Sequence, residues 1–206
     1  MQEVQEKVFP GEQGLRARKR LETHARIQAE GLRLFIEKGF DGATLDEVAA
    51  AAGVSRRTLL NYFGSKEEIV FSLKAQIPEM IAQAVAARPC DEPLLDMVEG
   101  GLADVAARFQ TPDMLDLTRL IHQTPALQAG DHAKYEGVER LLAQTLAERK
   151  GLAPDDVACR VAAAIGVSIM KLAGEAWLAH PDEGPERFGR EAFAVLRRMA
   201  GQRPPP

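Results

Sequence analysis

Aromatic residues make up only 5% of this 206-residue chain, and it has just two cysteines, Cys90 and Cys159. The cysteines are far apart and form no C-x-x-C or metal-type spacing, so free thiols are expected. The histidines His24, His122, His132 and His180 form no H-E-x-x-H or similar set, and no metal is expected. No glycine-rich phosphate loop or G-x-S-x-G elbow appears, so neither catalysis nor a cofactor is expected. No apolar run reads as long enough for a membrane span, and the opening MQEVQEKVFPGEQG lacks a signal-peptide core. The expectation is a soluble cytoplasmic protein with no membrane partner. Strand-like alternation, hairpin signals and internal repeats are missing too, which points to an all-α fold.

Net charge is −4, which by itself argues against nucleic acid. The distribution argues the other way. Arg16, Arg18, Lys19 and Arg20 form a basic run, and Arg56, Arg57 and Lys66 follow. The acidic surplus falls outside residues 16–70. A basic front on an acidic body suits a protein that touches DNA with one end.

Apolar spacing predicts about nine helices. The first covers about residues 16–38, with Ile27, Gly31, Leu34 and Phe35 on one face. Thr44-Leu45-Asp46-Glu47 has the form of a capping box, and Leu45, Val48, Ala49 and Ala52 continue at helical spacing. Gly53 stops that short helix. Ser55 caps the next, which runs to about residue 63, and Ser65-Lys66-Glu67-Glu68 reads as a second capping box. Later helices are expected near residues 66–88, 93–109, 112–122, 125–149, 155–179 and 186–200, several opened by proline in the first turn. Pro78 should kink or split the first of these. The domains read as a disordered extension over residues 1–15, a DNA-binding unit over 16–66, a helical body over 67–201 and a disordered tail over 202–206.

Two short helices joined by a tight Ala-Ala-Gly-Val turn make a helix-turn-helix. Val54, Leu59 and Phe63 suit its inner face. Arg56, Arg57, Leu60 and Asn61 share the outer face of the second helix, with Thr58 and Tyr62 beside them. Arginine can bond guanine, asparagine adenine, and leucine or threonine a thymine methyl, so this mixture suits a major groove.

The string GFDGATLDEVAAAAGVSRRTLLNYFGSKEEIV resembles the N-terminal domain of TetR-family regulators nearly end to end. Its Thr-x-x-x-Val-Ala-x-x-Ala-Gly-Val-Ser core and the following Tyr-Phe-x-Ser-Lys-Glu carry the resemblance, which is strong over about residues 20–75. The resemblance implies that Thr44 and Lys66 contact phosphates, and that Arg56, Arg57, Thr58 and Asn61 lie at or near base edges. Tyr62 would reach the groove wall, with Ser55 and Leu60 in the same contact set. Thr44 equally serves as a helix cap and Tyr62 as half-buried packing. The Arg16–Arg20 run is either a DNA contact or a solvated helix start. Leu60 departs from the family pattern, where an aromatic residue, often tyrosine, is common.

The resemblance also implies a ligand-sensing, dimerising body. The implied activity is that of a homodimeric repressor released from a double-stranded palindromic operator by a small-molecule effector. For the dimer interface the candidates are Val161, Ile165, Ser168 and Leu172 on one helix, and Phe188, Ala192, Val195, Leu196 and Met199 on the next. Ala162, Ala163, Ala164 and Gly166 would permit close helix approach there. For the pocket they are Phe109, Met114, Leu120, Ile121, Tyr135, Met170 and Trp177, with Arg119 and His122 as polar contacts. Trp177 suits either wall or interface. The rival readings are an enzyme with an appended binding domain, and a helical interaction module or non-specific DNA binder without an effector.

Overall fold

The computed structural model describes residues 10–201, with the backbone alone for residues 10–13 and for His132. Ten helical segments and no strand occur among the described residues. They form two compact units, one up to Leu73 and one from Lys74 onward. The expected boundary at residue 66 thus moves to the far end of the fourth helix.

The first unit holds α1 (Pro10–Lys38), α2 (Leu45–Ala51), α3 (Arg56–Leu60) and α4 (Lys66–Ser72). α1 begins before the expected start, so residues 10–15 are helical rather than disordered; residues 1–9 lie outside the described residues, as do residues 202–206, where the disordered tail was expected. Ile27, Leu34, Phe35, Val48, Leu59, Phe63, Ile69 and Val70 are buried and make one small core. α4 joins this core through Ile69 and Val70, and Gln28 of α1 donates to the Ser72 hydroxyl at 2.8 Å. That packing explains why the unit ends at Leu73.

Thr44 caps α2 as the capping box requires. Its hydroxyl accepts from the Glu47 amide at 3.2 Å, and Glu47 accepts from the Thr44 amide at 2.9 Å. Lys38 Nζ lies 2.6 Å from the same carboxylate. The Lys38 bond, followed by those from Thr44, holds the exposed Glu47 carboxyl down to about 2. Gly53 turns the chain at φ 63°, a left-handed conformation that a side chain would strain. Ser65 accepts from the Glu68 amide, but Glu68 reaches back to the Gly64 amide at 2.6 Å rather than to its cap. The second capping box is therefore only half formed.

The second unit holds α5 (Ile77–Ala86), α6 (Leu94–Phe109), α7 (Pro112–Gln123), α8 (Pro125–Lys150), α9 (Val157–Ala179) and α10 (Pro185–Met199). Pro78 splits the expected fourth helix and sits in the first turn of α5, where its missing amide costs little. α9 packs against α6, α8 and α10. It is also long and apolar enough, at 23 residues and mean hydropathy 1.6, to cross a membrane by length and composition. That overturns the expectation that no segment reaches that length, and the cause is its central place. Ala162, Ala163, Gly166, Val167 and Ile169 are all buried in this unit's core. A Cβ on Gly166 would meet Val98 Cγ1 at 2.5 Å. The small residues of α9 thus admit α6 of the same chain, and the expectation that Ala162, Ala163 and Gly166 serve a second copy is corrected. Arg197 of α10, buried at 5% exposure, donates to Asp96 at 2.5 Å and to Glu99, so its charge is matched across α6.

Two outcomes follow. Gly166→Ala should destabilise the chain by about 1–3 kcal/mol through overpacking against β-branched Val98. Gly137→Ala on α8, where nothing lies within 4 Å of a new Cβ, should stabilise it by up to about 1 kcal/mol; urea denaturation reads both. For Glu47, the folded carboxyl is depressed from 4.5 to about 2, so its stabilisation is present above pH 4.5 and fades as pH falls toward 2. The melting-temperature gap between the parent and Glu47→Gln should close over that window; a gap unchanged by pH would refute it.

Candidate functional site

The exposed surface of the first unit gathers most of the expected DNA-contact residues. Leu59 and Phe63, at 0% and 2% exposure, turn the inner face of α3 into the core. Arg56, Arg57, Leu60 and Asn61 are consequently exposed together, with Thr58 and Tyr62 half-buried beside them. Regular helix ends at Leu60, shorter than expected, although the Phe63 amide still bonds to the Leu59 carbonyl at 3.0 Å and completes another turn. Ser55 accepts from the Thr58 amide at 3.0 Å, and the two hydroxyls lie 2.8 Å apart.

The individual side chains differ in how ready they are to bind. Arg57 has no hydrogen bond or ion pair among the described residues, so its donors are available. Arg56 pairs with Asp46 of α2, an exposed contact of little strength that a base or phosphate can replace. The Thr44 hydroxyl points its proton at Glu47 Oε2, 2.9 Å away, so a phosphate contact would exchange one acceptor for another. Lys66 turns inward. Its ammonium donates to the carbonyls of Phe40 at 2.7 Å and Ala43 at 3.1 Å, bracing the loop before α2, with one donor left over. Sequence reasoning missed this brace, and also Arg26, whose Nε donates to the Ala52 carbonyl at the end of α2 at 2.7 Å.

Basic charge continues along α1. Residues 14–22 are exposed and carry Arg16, Arg18, Lys19 and Arg20. Arg18 makes only an exposed contact to Glu22 at 3.5 Å. The Arg20 guanidinium stands 5.7 Å from the Tyr62 ring centroid, which joins this run to the recognition surface.

The second unit contains a cavity of about 510 Å³. Phe109, Met114, Tyr135, Met170 and Trp177 line it, together with Ile77, Leu102 and Phe193. Trp177 is buried, and its indole donates to the Pro181 carbonyl at 3.1 Å. Four expected contacts lie elsewhere. Ile121, like Leu120, is buried core away from the wall; His122 is exposed; and Arg119 pairs with Asp116 at 2.5 Å. Met114 and Thr118 of α7 reach the cavity; by the 3.6-residue repeat Arg119 and Leu120 point elsewhere, while Ile121 shares the face of Met114 but lies beyond the wall.

The polar groups at the cavity include Lys74, Asp131, Lys134 and Tyr135, with Glu79, Glu99, Thr118, Glu186 and Arg190 also on the wall; of all these only Tyr135 was expected. Asp131, Lys134 and Tyr135 sit three and four residues apart on α8, which sets them on one face. Lys74 is the lone charge between Glu68 and Glu79, a signal present in the sequence but not used. Burial pushes the Lys74 ammonium down, and Asp131 opposes that. Burial pushes the Tyr135 phenol up, helped by the charge of Asp131 and a hydrogen bond to it.

The expected interface residues are on one side of α9 and α10. Val161, Leu172, Val195 and Met199 are 52%, 57%, 38% and 81% exposed, and Ser168 is exposed with them. Ile165, Ala192 and Leu196 share themselves between this surface and the core, and Phe188 is half-buried.

Residues 27–73 match the family described as bacterial regulatory proteins of the tetR family, and residues 92–200 match the MftR C-terminal domain. The regulator TcmR of Streptomyces glaucescens is 29% identical over 84% of this chain and 80% of its own. CymR of Pseudomonas putida is 31% identical over 68% of this chain and 72% of its own. The structure of FadR from Bacillus subtilis in complex with stearoyl-CoA shares the fold at a TM-score of 0.61 and 16% identity, covering 84% of this chain and 96% of that one. With its helix-turn-helix and helical second unit, the chain belongs to the TetR family of DNA-binding transcriptional regulators, a family of regulators and not of enzymes.

Proposed function

We propose that the chain is a homodimeric repressor that reads a palindromic operator with α3 and is released when a small molecule fills the cavity of the second unit. The observation that carries this reading is the outer face of α3, where Arg57 is exposed and unpaired while the opposite face is fully buried. Arg56, Arg57, Thr58 and Asn61 would meet base edges. Thr44, Tyr62 and the spare donor of Lys66 would meet phosphates, with Ser55 holding the helix start. Leu60, 44% exposed, would offer an apolar contact to a thymine methyl where many relatives offer a hydroxyl.

One recognition helix reads few base pairs, and a two-fold axis doubles the site. The exposed apolar stripe of Val161, Leu172, Val195 and Met199, continued by Ile165, Ser168, Phe188, Ala192 and Leu196, supports a dimer through α9 and α10. Such a dimer would present two α3 helices about 34–36 Å apart, one DNA turn. An effector that prefers a dimer with another spacing would lower DNA affinity, and DNA would lower effector affinity by the same factor.

A different reading, a DNA binder without sequence preference, predicts equal affinity for any duplex. Operator binding measured by anisotropy separates the two. Arg57→Ala should cost about 1–3 kcal/mol on the operator and much less on random DNA. Arg20→Ala, if its residue meets a phosphate, should weaken both alike and reduce the salt slope by about 1. Leu172→Glu combined with Met199→Glu should sediment as a folded monomer with most operator affinity lost; an unchanged dimer would place the interface elsewhere.

A further inference from the structure

We propose that the cavity takes a predominantly apolar monoanion, a carboxylate on a hydrocarbon or aromatic body, with the acid group held by Lys74. This rests on the reading of the cavity as the effector site and names the ligand class for it. Most of the wall is apolar, formed by Ile77, Leu102, Phe109, Met114, Trp177 and Phe193, so the body of the ligand must be apolar as well. Arg190 pairs with Glu186, and Glu99 is taken by Arg197. Glu79 is exposed, and at the remaining charged end the carboxylate of Asp131 acts on Lys74 and Lys134 and bonds the Tyr135 phenol. Of the carboxylates along the wall, Asp131 is the one whose field reaches Lys74, and Lys74 has no hydrogen bond among the described residues. The Lys74 ammonium therefore keeps its donors for a ligand to match.

The alternatives are penalised at the same place. A cationic ligand would meet two lysines. A neutral apolar ligand would strip water from the Lys74 ammonium and return no acceptor, which leaves a buried donor unsatisfied. An anion supplies the missing hydrogen bond in its charge-assisted form, which is the stronger kind. Lys74 also follows directly on Leu73, the C-cap of α4 and last residue of the DNA-binding unit. An acid anchored on Lys74 therefore binds the first residue of the second unit.

Three probes with the same chain test this: decanoate, decan-1-ol and decylammonium, titrated calorimetrically into the full-length protein below their micellar concentrations. Decanoate should bind at least about tenfold tighter than the alcohol, with the amine weakest. Lys74→Met should remove the preference while keeping alcohol binding, Lys74→Arg should retain it, and Ala106→Trp, which fills the cavity wall, should weaken decanoate and alcohol together. Equal binding of acid and alcohol, tighter binding of the amine, an undiminished preference in Lys74→Met, or no binding of decanoate would each overturn the inference. Operator release, read by anisotropy in the same solutions, keeps the two readings separate. If the alcohol releases DNA as well as the acid, the anion inference falls and the effector reading stands. If the acid binds through Lys74 and operator affinity does not change, the effector reading falls and the anion site stands.

Discussion

Burial of Leu59 and Phe63 sets the rotation of α3 about its own axis, and the recognition surface depends on that rotation. With 3.6 residues per turn, seating these two side chains in the core leaves Arg57, Leu60 and Asn61 outside, and Arg56 is exposed as the first residue of the helix. The core they enter is shared by α1, α2 and α4, so the helix is held from several directions. Polar braces complete the frame. Arg26 closes the end of α2, Lys66 ties α4 to the loop before α2, and Glu47 joins the α2 cap to Lys38. These charges stiffen the unit rather than greet a ligand, which leaves the free donors concentrated on α3 and the exposed start of α1.

α9 does for the second unit what the inner face of α3 does for the first. One face closes on α6 through Gly166 and, further along, supplies Met170, Ala173 and Trp177 to the cavity, while the other leaves Val161 and Leu172 exposed. A helix apolar on so many sides reads by composition like a membrane span. Its position also gives a physical route for coupling, because a ligand that presses on Met170 or Trp177 presses on the helix that carries the proposed interface.

Helix existence was legible because caps, glycines and first-turn prolines are local signals. Thr44, Ser55, Gly53, Pro112 and Pro185 all act within a few residues of where they stand. Most of the outer face of α3 was legible for the same reason, since periodicity assigns Arg57, Leu60 and Asn61 to it. Arg26, Lys66 and Lys74 were not, because their partners are distant in sequence or lie across a cavity. His122 and Arg119 misled as pocket residues because polar character marks a candidate but not its direction or its distance from the cavity, and only packing sets those. Ala162, Ala163 and Gly166 misled because small residues signal close approach without saying to what.

The central claim is that two copies of α3 read two half-sites related by a dyad. Hydroxyl-radical footprinting of the purified protein on its own upstream DNA tests it most directly. The account predicts two protected stretches symmetric about a dyad, their centres one helical turn apart, about 34–36 Å. A single unpaired stretch, or uniform protection along the whole duplex, would contradict it.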